Sequence, residues 1–281
     1  MSKNKQNSGR MPSSKGMDMA SVYSVQECEC KAKQIVFSKD NRLIIEEFIH
    51  IRDMKGKFAE HDVPMPNKLM MFGPPGTGKT LTAFYLAGRL GLPLIVVRLD
   101  SIINAHLGET GSNVRKIFEY AKSAPCILFV DEFDALARTR DTNDEVKEMA
   151  RVVNTLLQCI DEFQGDSILM AATNLENELD HAIWRRFDTK LVYEAPDESS
   201  RLEYIDLIIG SFHKEDGIQE RATRMLAGCS YADIEQILLK AKRKAIVDDL
   251  VLSQQLIESS IQEYRPVHLR IEDQALGGSS A

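Results

Sequence analysis

The chain of 281 residues has no apolar run near the roughly 18 residues that a membrane-spanning helix needs. Its first residues lack the apolar core of a secretory leader, and Ser2 to Lys15 holds one arginine and no amphipathic period, so no import signal is read there. Cytoplasm is the expected compartment. Cysteine is scarce and odd in number, with five residues at 28, 30, 126, 159 and 229, which fits a reducing environment and not a disulfide scaffold. Cys28 and Cys30 form a C-x-C with no second pair or nearby histidine, too few ligands for a metal centre. Positive charge is in deficit: 35 Lys and Arg stand against 42 Asp and Glu, a net charge of −7, opposite to what a dedicated nucleic-acid binder needs to neutralise phosphates. No H-E-x-x-H metalloprotease motif and no helix-turn-helix signature occur.

What is present suits a globular body. Hydrophobic residues make up 43% and charged residues 27%, and a chain of this length can bury a core without disulfides or metal. Residues 1–30 read as a flexible N-terminal tail and 267–281 as a frayed C-terminal one. From Asn41 to Phe58, Leu43, Ile44, Phe48, Ile51 and Met54 recur at helical spacing. Short apolar runs then alternate with helical patterns: Leu69–Phe72, Leu94–Leu99, Cys126–Val130, Ile168–Ala172 and Leu191–Tyr193. Such runs predict an α/β domain over 31–195, its parallel sheet flanked by helices on both faces. After Pro196 the strand signals stop, and two helical periods follow, the second opened by Ser230 and Asp233 at capping-box spacing. A small all-helical subdomain is expected over 196–266.

Two motifs carry chemistry. Gly73-Pro74-Pro75-Gly76-Thr77-Gly78-Lys79-Thr80 matches G-x-x-x-x-G-K-[ST] and lies between the Leu69–Phe72 strand and a helical stretch beginning at Leu81. Glycines let successive backbone N–H groups curl around phosphate oxygens, Lys79 reaches the β and γ phosphates, and the Thr80 hydroxyl ligates Mg²⁺. The apolar strand Ile127–Val130 ends in Asp131 and Glu132, placing both carboxylates at the C-terminal edge of the sheet, where ligands of such folds sit. Asp131 is the expected Mg²⁺ ligand and Glu132 the general base for an attacking water.

These residues give the chain its resemblance to the AAA+ ATPases, and within them to the AAA clade proper. GPPGTGKT, FVDEFDAL at Phe129–Leu136, AATN at Ala171–Asn174 and LDHAIWRRFD at Leu179–Asp188 follow one another as in that clade, and the resemblance covers about residues 31–265. It implies ATP and Mg²⁺ as ligands, with Pro75, Gly76, Thr77, Gly78, Lys79, Thr80 and Leu81 around the phosphates. It implies that Asn174 is the polar sensor near the γ-phosphate, and that Arg185 and Arg186 are arginine fingers completing a neighbouring subunit's site. Gly228-Cys229-Ser230-Tyr231-Ala232-Asp233 is similar to an element whose small residues, here Gly228 and Ala232, pack on the nucleotide; Tyr231 departs from the usual glycine. Ile35 and Val36 stand where relatives wrap the adenine.

The resemblance further implies self-association, as a hexamer, around a central pore. His106, Leu107 and Gly108 occupy the place of an aromatic-hydrophobic-glycine pore loop that grips polypeptide, with His106 replacing the aromatic residue. Arg138 to Glu145 reads equally as a second, charged pore loop or a solvated linker. The expected function is a ring-type ATPase that remodels or unfolds a protein client, with a separate protease as one recipient. A nucleic-acid-associated loader or transposition helper is the alternative, and a nucleotide-gated scaffold without turnover is a third reading.

Overall fold

The computed structural model describes residues 13–14, 17–18, 20–99, 110–133, 143–174 and 181–266. The chain forms two compact units, one of Met1–Lys31, Ile49–Phe72 and Ala83–Leu191, the other of Ala32–Phe48, Gly73–Thr82 and Val192–Ala281.

The first unit is built on a six-stranded sheet. Its strands are β1 (Ser21–Tyr23), β2 (Lys68–Phe72), β3 (Leu94–Arg98), β4 (Ile127–Asp131), β5 (Ile168–Thr173) and β6 (Thr189–Val192), and their spatial order is β1-β3-β4-β5-β2-β6. The inner strands pair in parallel, with Leu94 opposite Ile127, Ile127 opposite Ile168, and Met70 opposite Ala171. Parallel neighbours need long crossovers, and the helices supply them: α4 (Lys79–Leu90), α5 (Thr110–Lys122) and α6 (Asn143–Asp161). All six residues of β5 are buried, the reason the strand reads as an unbroken apolar run and not as an alternating one. One sheet face presents Met70, Phe72, Ile95, Val97, Leu128, Val130, Leu169 and Ala171 to a core completed by Val114, Ile117, Phe118 and Ala121 of α5 and Val152, Leu156 and Ile160 of α6. The opposite face is also closed, since Leu69, Met71, Ile127, Phe129, Ile168 and Met170 are all fully buried.

The structure departs from the sequence expectations in two places. The expected tail to residue 30 gives way to order: β1 runs antiparallel to β3, with Val22 opposite Ile95, and α1 (Val25–Lys31) follows. A three-residue strand is too short to show a period, yet it covers an otherwise open sheet edge. Cys28 and Cys30 sit two apart on α1 and therefore on different sides, Cys28 buried and Cys30 exposed. Burial beside Glu27 pushes the Cys28 thiol up to about 11, which keeps it a neutral core group. The single helix expected over Asn41–Phe58 is two, α2 (Lys39–Asp53) and α3 (Lys55–Glu60), meeting at Met54. The expected pore loop at His106, Leu107 and Gly108 lies outside the described residues, as do positions 138–142 of the second candidate loop and the C-terminal tail from 267 onward.

In the second unit α8 (Glu198–Ile209), α9 (Ile218–Met225), α10 (Tyr231–Val247) and α11 (Gln254–Tyr264) follow α7 (His181–Trp184) of the first unit. Each long helix starts on a side-chain cap: Asp197 accepts from Ser200 N, Ser230 from Asp233 N, and Ser253 from Leu256 N. The capping box is complete, because the Asp233 carboxylate also accepts from Ser230 N at 3.1 Å. The helices close on one apolar cluster that includes Ile205, Ile209, Leu226, Ile234, Ile237, Leu238 and Ile257.

Phe163, fully buried just beyond α6, meets Phe118 edge-on with ring centroids 5.8 Å apart. Phe163→Ala leaves a ring-sized void in this core and is expected to cost about 3–5 kcal/mol, read as a lowered urea midpoint with unchanged m value.

Candidate nucleotide site

In the second unit the Gly73–Lys79 loop runs into the N-terminus of α4, whose first backbone bond joins Thr82 N to the Gly78 carbonyl at 3.0 Å. A helix N-terminus meeting a loop of backbone N–H groups is an anion-binding arrangement. Lys79 is buried and donates from Nζ to the carbonyls of Gly73 at 2.6 Å and Pro74 at 2.7 Å. Its ammonium thus sits on the loop's own oxygens, where an incoming phosphate competes for it. Thr77 Oγ1 donates to Pro74 O at 2.8 Å, bracing the turn from the other side. Thr80 is exposed and Leu81 half-buried on the first turn of α4.

Two glycines are required by close approach. A Cβ on Gly73, at φ 140°, would lie 1.9 Å from the Tyr193 carbonyl oxygen. One on Gly76, at φ 76°, would lie 2.8 Å from Ser230 Oγ and 2.9 Å from the Ala232 methyl. The backbone N–H of Ala232 donates to Gly76 O at 3.1 Å, so the small residues of the Gly228–Asp233 element pack directly on the loop. Thr82 Oγ1 donates to Gly78 O, and the buried Tyr193 hydroxyl therefore donates to Thr82 Oγ1 at 2.5 Å.

The same unit holds a cleft of about 540 Å³ walled by Val36, Phe37, Ile44, Pro196 and Tyr231, with Thr77 of the loop at its margin. That volume lies within the range of small-molecule sites, about 300–1,000 Å³. Ile35 is half-buried next to this wall in sequence. Tyr231, where relatives have glycine, supplies an aromatic side; its ring meets Tyr204 edge-on at 4.8 Å, and burial pushes its phenol up to about 12.

In the first unit Asp131 and Glu132 end β4, one strand from β5, whose own end carries Asn174, exposed. Asp131 Oδ1 accepts from Glu132 N at 2.9 Å. Glu132 has φ 54°, a left-handed backbone that a non-glycine residue rarely adopts. Its carboxylate meets Arg98 Nη2, 3.2 Å from each oxygen. The sequence reading missed Arg98. Its signal was positional, since Arg98 ends β3 directly opposite Asp131 in the parallel register.

The tandem arginines divide. Arg186 grips Asp161 with Nε at 2.7 Å and Nη2 at 2.9 Å, and gives Nη1 to the Ala182 carbonyl at 2.6 Å. The guanidinium beside Asp161 holds that carboxyl below its usual range. Phe187 is buried edge-on against Phe133, and Asp188 Oδ2 accepts from the backbone N–H groups of Asn67 and Lys68, anchoring the start of β2. Arg185 is exposed, next to Trp184, whose ring rests 4.9 Å from that of Phe72.

A parallel sheet whose strand β2 leads into a glycine loop and helix, with paired carboxylates ending β4, defines a P-loop nucleoside triphosphatase. Residues 69–195 match the profile of the ATPase family associated with various cellular activities (AAA). An uncharacterised AAA family ATPase, y4kL, of Sinorhizobium fredii is 40% identical over 222 residues, covering 79% of this chain and 67% of that one. The ATP-dependent zinc metalloprotease FtsH 3 of a Synechocystis species is 32% identical over 237 residues, covering 80% of this chain and 38% of the relative. The ATP-dependent zinc metalloprotease FtsH of a Synechococcus species is 35% identical over 211 residues, covering 71% and 33%. The chain thus spans two thirds of the first relative and between a third and two fifths of the two metalloproteases. It belongs to the AAA ATPase family, binding and hydrolysing ATP. Among the described residues no helix is long and apolar enough to cross a membrane.

The Arg98 contact occupies the Glu132 carboxylate, which would have to exchange it to meet an attacking water. Arg98→Ala is expected to raise kcat for ATP about two- to tenfold, a modest gain for a partly exposed pair, with the ATP Kd within about twofold. Steady-state turnover beside equilibrium titration checks both.

Proposed function

We propose that this ATPase is a ring-forming mechanochemical subunit that remodels or unfolds a polypeptide client. The similarity along 80% of the chain to an ATP-dependent protease carries the reading, because the shared part is the ATPase and not a whole metalloprotease. ATP binds with its phosphates on the Pro75–Leu81 segment, where Lys79 leaves the Gly73 and Pro74 carbonyls for the β and γ oxygens. Its nucleoside end enters the cleft beside Ile35, Val36 and Tyr231, with Gly228 and Ala232 at the lid-helix side. Thr80 and Asp131 would hold Mg²⁺, since a hydroxyl and a carboxylate are the hard oxygen donors this ion takes. When bound, the ion neutralises charge on the transferred phosphoryl group.

Glu132, released from Arg98, accepts a proton from the attacking water, and Asn174 orients that water. Arg185 reaches into a neighbouring subunit's site and stabilises charge in the transition state. Arg186 supports it by holding the turn through Asp161 and the Ala182 carbonyl. His106, Leu107 and Gly108 line the axis of the ring, a hexamer, and contact the client. Nucleic acid as the client is disfavoured by the net charge of −7.

Two measurements test the reading. An unfolded polypeptide such as casein is expected to raise the ATPase rate severalfold while duplex DNA does not; Leu107→Ala abolishes that stimulation and leaves ATP binding unchanged. Stimulation by DNA alone would move the chain to the nucleic-acid reading. In mixed assemblies, Arg185→Ala subunits bind ATP yet lack the donated arginine, whereas Lys79→Ala subunits keep Arg185 but not the phosphate-binding lysine. Each supplies what the other lacks, so mixing is expected to recover turnover that neither variant shows alone. No recovery in confirmed mixed assemblies counts against action across a subunit boundary.

A further inference from the structure

We propose that Asn41 reads the base, selecting adenine through its exocyclic amine, an inference that rests on the cleft of the second unit holding the nucleoside end of ATP. Asn41 lies on the first turn of α2 and lines that cleft, yet it is only 4% exposed. Its backbone N–H donates to Ser38 Oγ at 3.3 Å, which fixes the turn that carries it. Its Nδ2 donates to the Val192 carbonyl at 2.7 Å. A backbone carbonyl only accepts, so the amide is oriented with NH₂ toward Val192 and Oδ1 on the opposite side. No described group donates to Oδ1. Asn41 lines the cleft, so its oriented Oδ1 is an acceptor open to a donor on a bound ligand.

Asp40, Glu194 and Asp197 also line the cleft. Asp197 Oδ1 accepts from Ser200 N at 2.7 Å and from Ser199 Oγ at 3.0 Å, its carboxyl held below the usual range by those bonds. The apolar walls Val36, Phe37, Ile44 and the Tyr231 ring suit the faces of a flat heterocycle, while Ser38, Lys39, Thr77 and Ser200 add polar groups to the lining. Asn41 is the amide of this lining whose acceptor is aimed by its own bond to Val192, and recognition of the base edge is assigned to it. Adenine presents an amine donor at position 6, guanine an acceptor oxygen. Oδ1 completes its bonding with the first and opposes the second. Asn41 is thus a specificity-determining residue: it chooses the base, while the phosphate loop supplies most of the affinity.

The test compares ATP, GTP and purine riboside triphosphate, which lacks any group at position 6, by equilibrium titration on the full chain. The wild type is expected to bind ATP about tenfold more tightly than the purine analogue, the scale of one hydrogen bond, and to bind GTP more weakly still. Asn41→Ala brings ATP and the purine analogue within about twofold by weakening ATP alone, and narrows the gap to GTP. Unchanged affinity for the analogue shows that the variant is folded with its phosphate loop intact; Asn41→Leu, which fills more of the vacated volume, carries the same comparison if the alanine variant does not fold. Wild-type ATP and analogue affinities within about twofold overturn the proposal while leaving nucleotide binding in place, as does an alanine variant that keeps the wild-type preference. Failure of the wild type to bind any of the three would instead refute the nucleotide site itself.

Discussion

The Gly73 backbone passes so close to the Tyr193 carbonyl that no side chain fits between them, and the arrangement of the second unit follows from that contact. The loop is held on one side by the Val192–Tyr193 connector and on the other by the N-terminus of α10, where Gly76 meets Ser230 and Ala232. The connector also receives the Asn41 amide through the Val192 carbonyl and reaches the first turn of α4 through the Tyr193 hydroxyl on Thr82. The glycine loop, the cleft and α10 therefore share their supports. Close-packed interiors transmit displacement instead of absorbing it, so a phosphate that opens the loop must move α10 or break its bond from Ala232 N to Gly76 O. The path continues, because Asp233 of the capping box also accepts from Tyr264 on α11 at 3.0 Å. A change at the phosphates thus has a physical route to the last described helix.

How much of this was legible in the sequence depended on whether a feature is local. The strands of the first unit declare themselves because both faces are buried, and the phosphate loop because its glycines and lysine stand at fixed spacing. The capping box was readable with Asp233 in place of the more usual glutamate, since Ser230 and its partner are three residues apart. Contacts made across the fold left no such trace. Ser21–Tyr23 is a strand only because β3 offers it an edge, and its three residues carry no period. Asn41 looked like one more polar residue on an amphipathic helix until Val192, 151 positions later, took its amide. The Arg-Arg-Phe-Asp stretch shows the same limit in miniature. Its motif was recognisable, but the division of labour needed Asp161, Phe133 and Asn67, all distant in sequence, to show which three side chains are committed to the fold.

The paired carboxylates at the end of β4 raise an electrostatic question, since adjacent negative charges repel and are easier to hold when their surroundings differ. Here they do. Asp131 turns an oxygen onto the next residue's N–H, a bond that fixes its direction. Glu132 leaves the strand through a left-handed residue, a strain of order 1–3 kcal/mol of the kind that persists only where the surroundings enforce it. That turn breaks the alternation of an extended strand, in which successive side chains point to opposite faces. Glu132 thereby comes within reach of Arg98 on the neighbouring strand. The two groups end with different partners and different freedom. Asp131 is held by a backbone donor that cannot leave, which suits a fixed ligand to a cation. Glu132 is held by a partly exposed side-chain pair worth about 1 kcal/mol or less, weak enough to exchange for water once a substrate arrives. The backbone strain and the Arg98 contact together set where the Glu132 carboxylate lies.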